Sequence, residues 1–372
     1  MPTSRMLVIT FFTHLTNDGF ELILPTLLPL IAREFSLSGS EIGFLGGCML
    51  ITLGLGQFIM GYLSDRTGKR KIFVILGLLC LSVSFYLMGV SQSYYELVLW
   101  NLLAGLGASV YHPVSVSLIS QVYNQKKGKA LGIHGAGGNL GMAAFPLISG
   151  LLAGVYGWRF VFKMFPVMGF AICLLFYFLV KEEKPVKKTV KVQTLFIRKI
   201  FVVIITLGFV SMTAKGLQIF LPLKLSDLGY SPANFGLFLS LFNGFGVIGQ
   251  IIGGYFSDIY EKPKMIFILS VVSGIMMYLL LYASGYVVML FFVVTAGLVF
   301  NCIWPTLFGL LTDRTPEYIH GTGLGLFFSI GCIMASASPV LMGVVTDVSS
   351  MQISFILVPV FALLGAFVIL KK

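Results

Sequence analysis

The sequence predicts an all-α membrane protein, with twelve transmembrane helices arranged as two parallel six-helix halves. Three observations predict it. First, the 372 residues are 57% hydrophobic and only 10% charged, against roughly 25% charged in soluble domains, and the mean hydropathy is +0.97. Second, the chain holds twelve apolar runs long enough to cross a bilayer, a crossing that takes about 20 residues of helix. Third, Asp18-Gly-Phe-Glu21-Leu-Ile-Leu-Pro25 returns as Lys215-Gly-Leu-Gln218-Ile-Phe-Leu-Pro222, so the chain reads as duplicated.

In order, the expected spans are 6–31, 41–63, 72–91, 95–121, 129–155, 158–180, 200–223, 232–256, 264–284, 286–311, 320–346 and 350–370. Continuous apolar runs of this length disfavour a β-barrel, whose strands are short and alternate in polarity. The first run is expected to remain a span rather than act as a cleaved leader, because it is too long and contains His14, Asp18 and Glu21. The five cysteines (Cys48, Cys80, Cys173, Cys302 and Cys332) all fall in spans without metal-site spacing, so they read as small buried hydrophobes.

The formal net charge is +11. Its distribution describes topology, not a nucleic-acid ligand. With the N-terminus placed inside, 20 of the 25 basic residues fall on one side, including Arg66, Lys69, Arg70, Lys71, Lys262 and Lys264. Arg33, Arg159, Lys163 and Lys224 fall on the other, and Lys215 alone lies within a span. This asymmetry predicts both termini in the cytoplasm; the expected location is the cytoplasmic membrane of a prokaryote.

Residues 181–199, containing Lys-Glu-Glu-Lys-Pro-Val-Lys-Lys, separate six spans from six. The expected division is an N-terminal bundle over 1–180, a cytoplasmic linker over 181–199 and a C-terminal bundle over 200–372. The linker reads as a solvated connector or as a segment lying on anionic headgroups. Further repeats support the duplication: Gly61-Tyr-Leu-Ser-Asp65 matches Gly254-Tyr-Phe-Ser-Asp258, and Pro113, Pro146 and Gly150 match Pro305, Pro339 and Gly343, at offsets between 192 and 197. Like topology in the two halves implies an axis along the membrane normal. Glycines crowd the second, fifth, eighth and eleventh spans, where small residues permit close helix approach. They serve either static packing or a seam along which the halves rock.

Gly61, Asp65, Arg66, Gly68, Lys69 and Arg70 form a tight basic turn with one acid after the second span. This string resembles the loop signature of the major facilitator superfamily, and with the twelve spans and central basic linker the resemblance covers the chain. It implies a secondary transporter in which this loop acts as a conformational latch. In the second copy Ile259 replaces Arg66, so only the acidic part is retained. A narrower resemblance, to the fosmidomycin-resistance branch, rests on His14-Leu-Thr-Asn17-Asp18, Val110-Tyr-His112-Pro113 and Gly137-Gly138-Asn139-Leu-Gly141. It implies drug export by proton exchange. Two positions depart from drug–proton antiporters: Asn101 stands where arginine is common, and Phe145 precedes Pro146 where glycine is common.

Ionisable groups in mid-membrane cost about 2.5–3.5 kcal/mol each on insertion scales and mark function by default. His14, Asp18 and Glu21 are spaced to share one helix face, and they are the expected proton-coupling residues. Lys215, at the duplicated depth in the seventh span, is expected either to pair with Asp18 or Glu21 or to hold an anionic substrate group. His112 and His134 lie on the cytoplasmic side, as proton relays or as satisfied buried histidines, with His112 also placed to bond carbonyls freed by Pro113. Asn17, Tyr111, Asn139, Gln218, Asn243 and Trp304 complete the substrate-binding candidates.

The expectation is therefore a proton-coupled secondary transporter of a small organic compound, anionic or amphipathic, exporting by antiport. The alternative is proton-linked uptake of an organic anion. A membrane-embedded enzyme or a non-transporting sensor is disfavoured: no nucleophile, catalytic metal set or cofactor motif accompanies these residues. No cofactor is expected. The expected partners are the substrate, protons and the bilayer, with the chain as a monomer.

Overall fold

The computed structural model describes residues 2–123, 126–181, 197–314 and 320–371; most of the expected linker therefore lies outside the described residues. Sixteen helices appear among them. The first six spans are α1 (Pro2–Phe20) with α2 (Ile23–Phe35), α3 (Gly39–Thr67), α4 (Arg70–Val90), α5 (Tyr94–Ser109) with α6 (Tyr111–Val122), α7 (Lys127–Tyr156) and α8 (Trp158–Leu179). The last six are α9 (Ile197–Asp227), α10 (Pro232–Ser257), α11 (Lys262–Tyr282), α12 (Tyr286–Asn301) with α13 (Ile303–Asp313), α14 (His320–Val348), and α15 (Met351–Phe355) with α16 (Leu357–Ile369). Eleven described stretches are long and apolar enough to cross a membrane. The first span is not in that set; its two helices, of 19 and 13 residues, are separated by a turn at Glu21 and Leu22.

Four of the twelve spans are broken, and the breaks share a cause. In each, proline is the third residue of the second helix: Pro25, Pro113, Pro305 and Pro359. Proline has no N–H to give the carbonyl four residues back, so the carbonyls of Glu21, Ser109, Asn301 and Phe355 lack their helical donor. At the first break the Leu22 N–H reaches back only to the Gly19 carbonyl, at 3.2 Å, a turn tightened to three residues. Proline is not sufficient, however. Pro146, Pro166, Pro222 and Pro339 all lie inside unbroken helices.

The two halves meet along α3 against α14 and α7 against α10. Glycine makes these approaches possible. A Cβ at Gly43 would stand 2.1 Å from the Pro339 carbonyl oxygen, and one at Gly236 would stand 2.0 Å from that of Pro146. Gly39, Gly47 and Gly54 meet α14 in the same way. At the start of α3, Asp347 of α14 accepts from the backbone N–H groups of Gly39 (2.6 Å) and Ser40 (2.8 Å), a carboxylate answering unpaired donors at a helix N-terminus. The crowded glycines thus form a seam between halves in part. Gly137 and Gly141 instead press on α1 within the first half.

At the basic end, which carries Arg66, Lys69, Arg70 and Lys262, the seam opens. Among the described residues, a Cβ at Gly61 would touch only Pro113 of its own half, and one at Gly128, Gly132 or Gly135 would meet nothing within 4 Å. Among the described residues, the two halves therefore touch at the end opposite the basic loops and stand apart at the basic end.

Candidate functional site

The broken first span distributes its charged residues to two places. The helix that carries His14 and Asp18 ends at Phe20, and Glu21 lies in the turn that follows. Its partner differs from theirs. Its carboxylate Oε2 lies 3.1 Å from Lys215 Nζ on α9. Of the two pairings open to Lys215, the structure makes the one with Glu21. Asp18 and Lys215, equivalent by duplication, do not meet.

The Glu21–Lys215 pair joins the first and seventh spans, and so the two halves. Both side chains are mostly buried, 15% and 16% exposed. They line a small cleft, together with Pro25, Met49, Asn101 and Ile219. Its enclosed space holds about one water molecule, so an organic ligand enters only as the cleft widens. Asn101 was visible in the sequence only as a departure from an arginine pattern. Here its amide donates to the Leu45 carbonyl at 2.8 Å, while its buried Oδ1 has no partner among the described residues. It is a site residue that sequence reasoning missed, and only its cleft position reveals it. At 3.1 Å and an effective dielectric near 20, the ion pair gains about 5 kcal/mol of attraction. Dehydrating two charges costs several kcal/mol each. The pair is thus close to balance, and modest changes will open it.

Asp18 belongs to a second constellation, built by the first, fourth and fifth spans. Its Oδ2 lies 3.0 Å from His14 Nε2 and its Oδ1 lies 3.4 Å from His112 Nε2. Asn17 donates to Oδ1 at 3.0 Å. His14 Nδ1 donates to the backbone carbonyl of His134 at 2.8 Å, and the two rings stack with centroids 4.2 Å apart. His134 Nδ1 and the Tyr111 hydroxyl both donate to the Thr10 carbonyl, at 3.2 and 2.9 Å. Gly138 allows all this: a Cβ there would stand 2.5 Å from Asp18 Oδ2 and 2.7 Å from His14 Nε2. The three strings His14–Asp18, Val110–Pro113 and Gly137–Gly141, scattered in sequence, meet at this one locus.

The remaining candidates separate further. Tyr111 and His134 are buried ties between helices rather than cleft residues. His112 turns to Asp18 and not to a freed carbonyl, and its ring lies parallel to Phe328 of α14 with centroids 6.5 Å apart. Asn17 is buried beside Asp18. Gln218 donates to Asn243 Oδ1 at 3.1 Å, joining α9 to α10. Asn139 reaches across the halves to Gln250 at 3.4 Å. Trp304 packs on the core beside Phe308.

At the basic end, Asp65 Oδ1 accepts from buried Arg70 at 2.8 Å, and Arg70 Nε donates to Ser117 on α6 at 2.9 Å. Gly68, at φ 69°, closes α3 in the left-handed region that glycine tolerates. Arg66 and Lys69 are exposed. The second copy keeps more than an acid: Lys262 pairs with Asp313 of α13 at 2.8 Å.

The comparisons with known proteins agree with this architecture. A family profile for the Major Facilitator Superfamily matches residues 6–339. The cis,cis-muconate transport protein of Acinetobacter baylyi is 24% identical over 368 residues, covering 93% of this chain and 88% of its own. The Bacillus subtilis multidrug resistance protein 1 is 26% identical over 341 residues, covering 89% and 86%. Among solved structures, a bacterial homologue of the human lysosomal transporter Spinster, in an inward-facing and unoccupied conformation, superposes with a TM-score of 0.88 at 16% identity, covering 99% of this chain and 96% of that one. The chain belongs to the Major Facilitator Superfamily, and is thus a membrane transporter and not an enzyme.

Proposed function

We propose that this transporter moves a small organic anion together with protons, through the cleft that holds Glu21 and Lys215. The observation that carries the reading is the 3.1 Å ion pair between the halves. A proton on Glu21 removes the negative partner of Lys215. The freed ammonium then binds a carboxylate or similar group on the substrate. Proton and anion thus occupy the two members of one pair at the same time, which couples them in the same direction. With the proton gradient pointing inward, the result is uptake. The muconate relative supports an anionic cargo. In this reading the basic end is cytoplasmic, in keeping with the charge asymmetry, and the structure is the inward-open state. The Asp65–Arg70–Ser117 contacts hold the latch loop to α6 within the first half.

A second reading, export by proton exchange, draws on the separate Asp18–His14–His112 group and on the multidrug relative. There the proton enters at Asp18 and His14 while substrate leaves. One experiment separates the two. Purified protein in proteoliposomes is given an acid-outside gradient and a panel of aromatic and aliphatic carboxylates. Symport predicts accumulation of the anion with acidification of the lumen. Antiport predicts that substrate loaded inside leaves as protons enter. If neither flux depends on Glu21 or on Lys215, the proposed site is wrong.

A further inference from the structure

We propose that His14, Asp18 and His112 form a binding site for a divalent transition-metal cation of the zinc type. The inference rests on three features of the cluster. First, the donor atoms of these three residues lie within 4.8 Å of one another, and the two nitrogen-to-carboxylate separations are 3.0 and 3.4 Å. A tetrahedral ion with ligands at 2.0–2.2 Å places neighbouring donors about 3.4 Å apart. The cluster already has the span of a coordination shell.

Second, the His14 nitrogen is prepared as a ligand. A carbonyl only accepts, so the 2.8 Å contact with the His134 backbone fixes the proton on Nδ1. In the neutral ring this leaves the lone pair on Nε2, turned to the carboxylate. Nε2 is buried and has no hydrogen-bond partner among the described residues. The residue is only 8% exposed. It lies 3.0 Å from Asp18 Oδ2. A nitrogen lone pair beside an anionic oxygen repels it unless a cation sits between them, either a proton or a metal ion, and zinc titration distinguishes the two. The surrounding hydrogen bonds, from His14 to the His134 carbonyl and from Asn17 to Asp18, are the outer contacts that orient imidazole and carboxylate ligands in metal sites.

Third, there is room. Gly138 lacks the Cβ that would fill the space beside both His14 Nε2 and Asp18 Oδ2. The His112 side chain is 33% exposed, which gives an ion a way in and leaves an open coordination position. Two imidazoles with one carboxylate suit zinc, cobalt or nickel better than magnesium or calcium, which take oxygen donors.

The test uses the full-length protein purified in detergent and stripped with chelator. Zinc titration by calorimetry is expected to show one equivalent bound. Cobalt is expected to give the visible absorption of a low-symmetry, four- or five-coordinate ion. His14→Ala and His112→Ala are each expected to weaken zinc binding at least tenfold. Gly138→Ala is expected to do the same with every ligand retained. His320→Ala, at a histidine remote from the cluster in sequence, is expected to bind as wild type. Size-exclusion profile and helical circular dichroism show which variants fold, and zinc-induced thermal shift provides a second readout on those that do. Wild-type zinc affinity in a folded His14→Ala/His112→Ala double variant overturns the proposal, as does the absence of stoichiometric binding to wild type. No transport is measured, so failure here leaves the organic-anion reading standing, and failure of that reading leaves the metal site standing.

Discussion

The first and seventh spans descend from one pattern and have diverged in opposite ways. Both carry a proline at the same register, Pro25 and Pro222, yet the first span breaks at Glu21 while α9 runs unbroken through Lys215. The first span also has Pro29 one turn on, where the seventh has Ser226. The difference shows how a duplicated scaffold becomes an asymmetric site. The straight helix presents a fixed cation. The broken one splits its acids, sending Glu21 to that cation and leaving Asp18 with the histidines of its own half.

The largest effect should come from breaking the pair that joins the two spans. Glu21→Gln and Lys215→Ala should each reduce anion transport in proteoliposomes to background. Lys215→Ala leaves a mostly buried charge unanswered and should cost about 3 kcal/mol of stability, read as a lower thermal midpoint on fluorescence-detected size exclusion. The double variant Glu21→Gln/Lys215→Gln should recover most of that stability but no transport. Next comes the seam that holds the two spans face to face. Gly43→Val drives a side chain into the Pro339 carbonyl and should cost about 1–3 kcal/mol, whereas Gly132→Ala, facing empty space, should be neutral in the same assay.

A smaller change addresses the break itself. Pro25→Ala returns a donor to the Glu21 carbonyl, a hydrogen bond worth about 1 kcal/mol, and so favours a continuous first span with Glu21 turned away from Lys215. Anion affinity should fall several-fold, while Pro222→Ala, in a helix already continuous, should leave it within twofold. Equal responses from the two prolines would remove the break from the explanation.

The smallest effect lies at the outer ends of the two spans. Glu34 accepts from Trp158 at 2.6 Å and from Arg159 at 2.7 Å. Partial burial pushes its carboxyl up, but the two hydrogen bonds and the Arg159 charge outweigh this and hold it below its ordinary value of 4.5. Its contribution is therefore complete above pH 4.5 and is lost as pH falls through the lower folded-state value. The side chain is 43% exposed, so that contribution is below about 1 kcal/mol. Glu34→Gln should flatten the acid limb of the thermal-stability profile slightly. The seventh span ends differently: Lys224 donates to the carbonyls of Leu280 and Leu281 at the end of α11, and this contact does not vary over that acid range.

Much of the fold was legible because membrane helices declare themselves by apolar length, and the duplication by proline and glycine at constant offsets. The site was legible in its residues but not in its pairings. Sequence periodicity assumes an unbroken helix, so it placed Glu21 with His14 and Asp18. Whether proline breaks a helix depends on packing around it, as Pro25 and Pro222 show. Asn101 stood out only as a departure from an arginine pattern, because an asparagine in a span advertises polarity without direction. The histidines were visible individually, but the packing of Gly137, Gly138 and Gly141 against α1 is what lays His134 on His14, and His112 reaches the same point from α6.

The most direct measurement is the pH dependence of anion affinity in wild type and in Glu21→Gln, by calorimetry or tryptophan fluorescence on purified protein. The account predicts that wild-type affinity strengthens as pH falls, because protonating Glu21 frees Lys215. It predicts that Glu21→Gln binds at the acid-limit affinity at every pH, and that Lys215→Ala binds weakly throughout. Unchanged pH dependence in Glu21→Gln would contradict it.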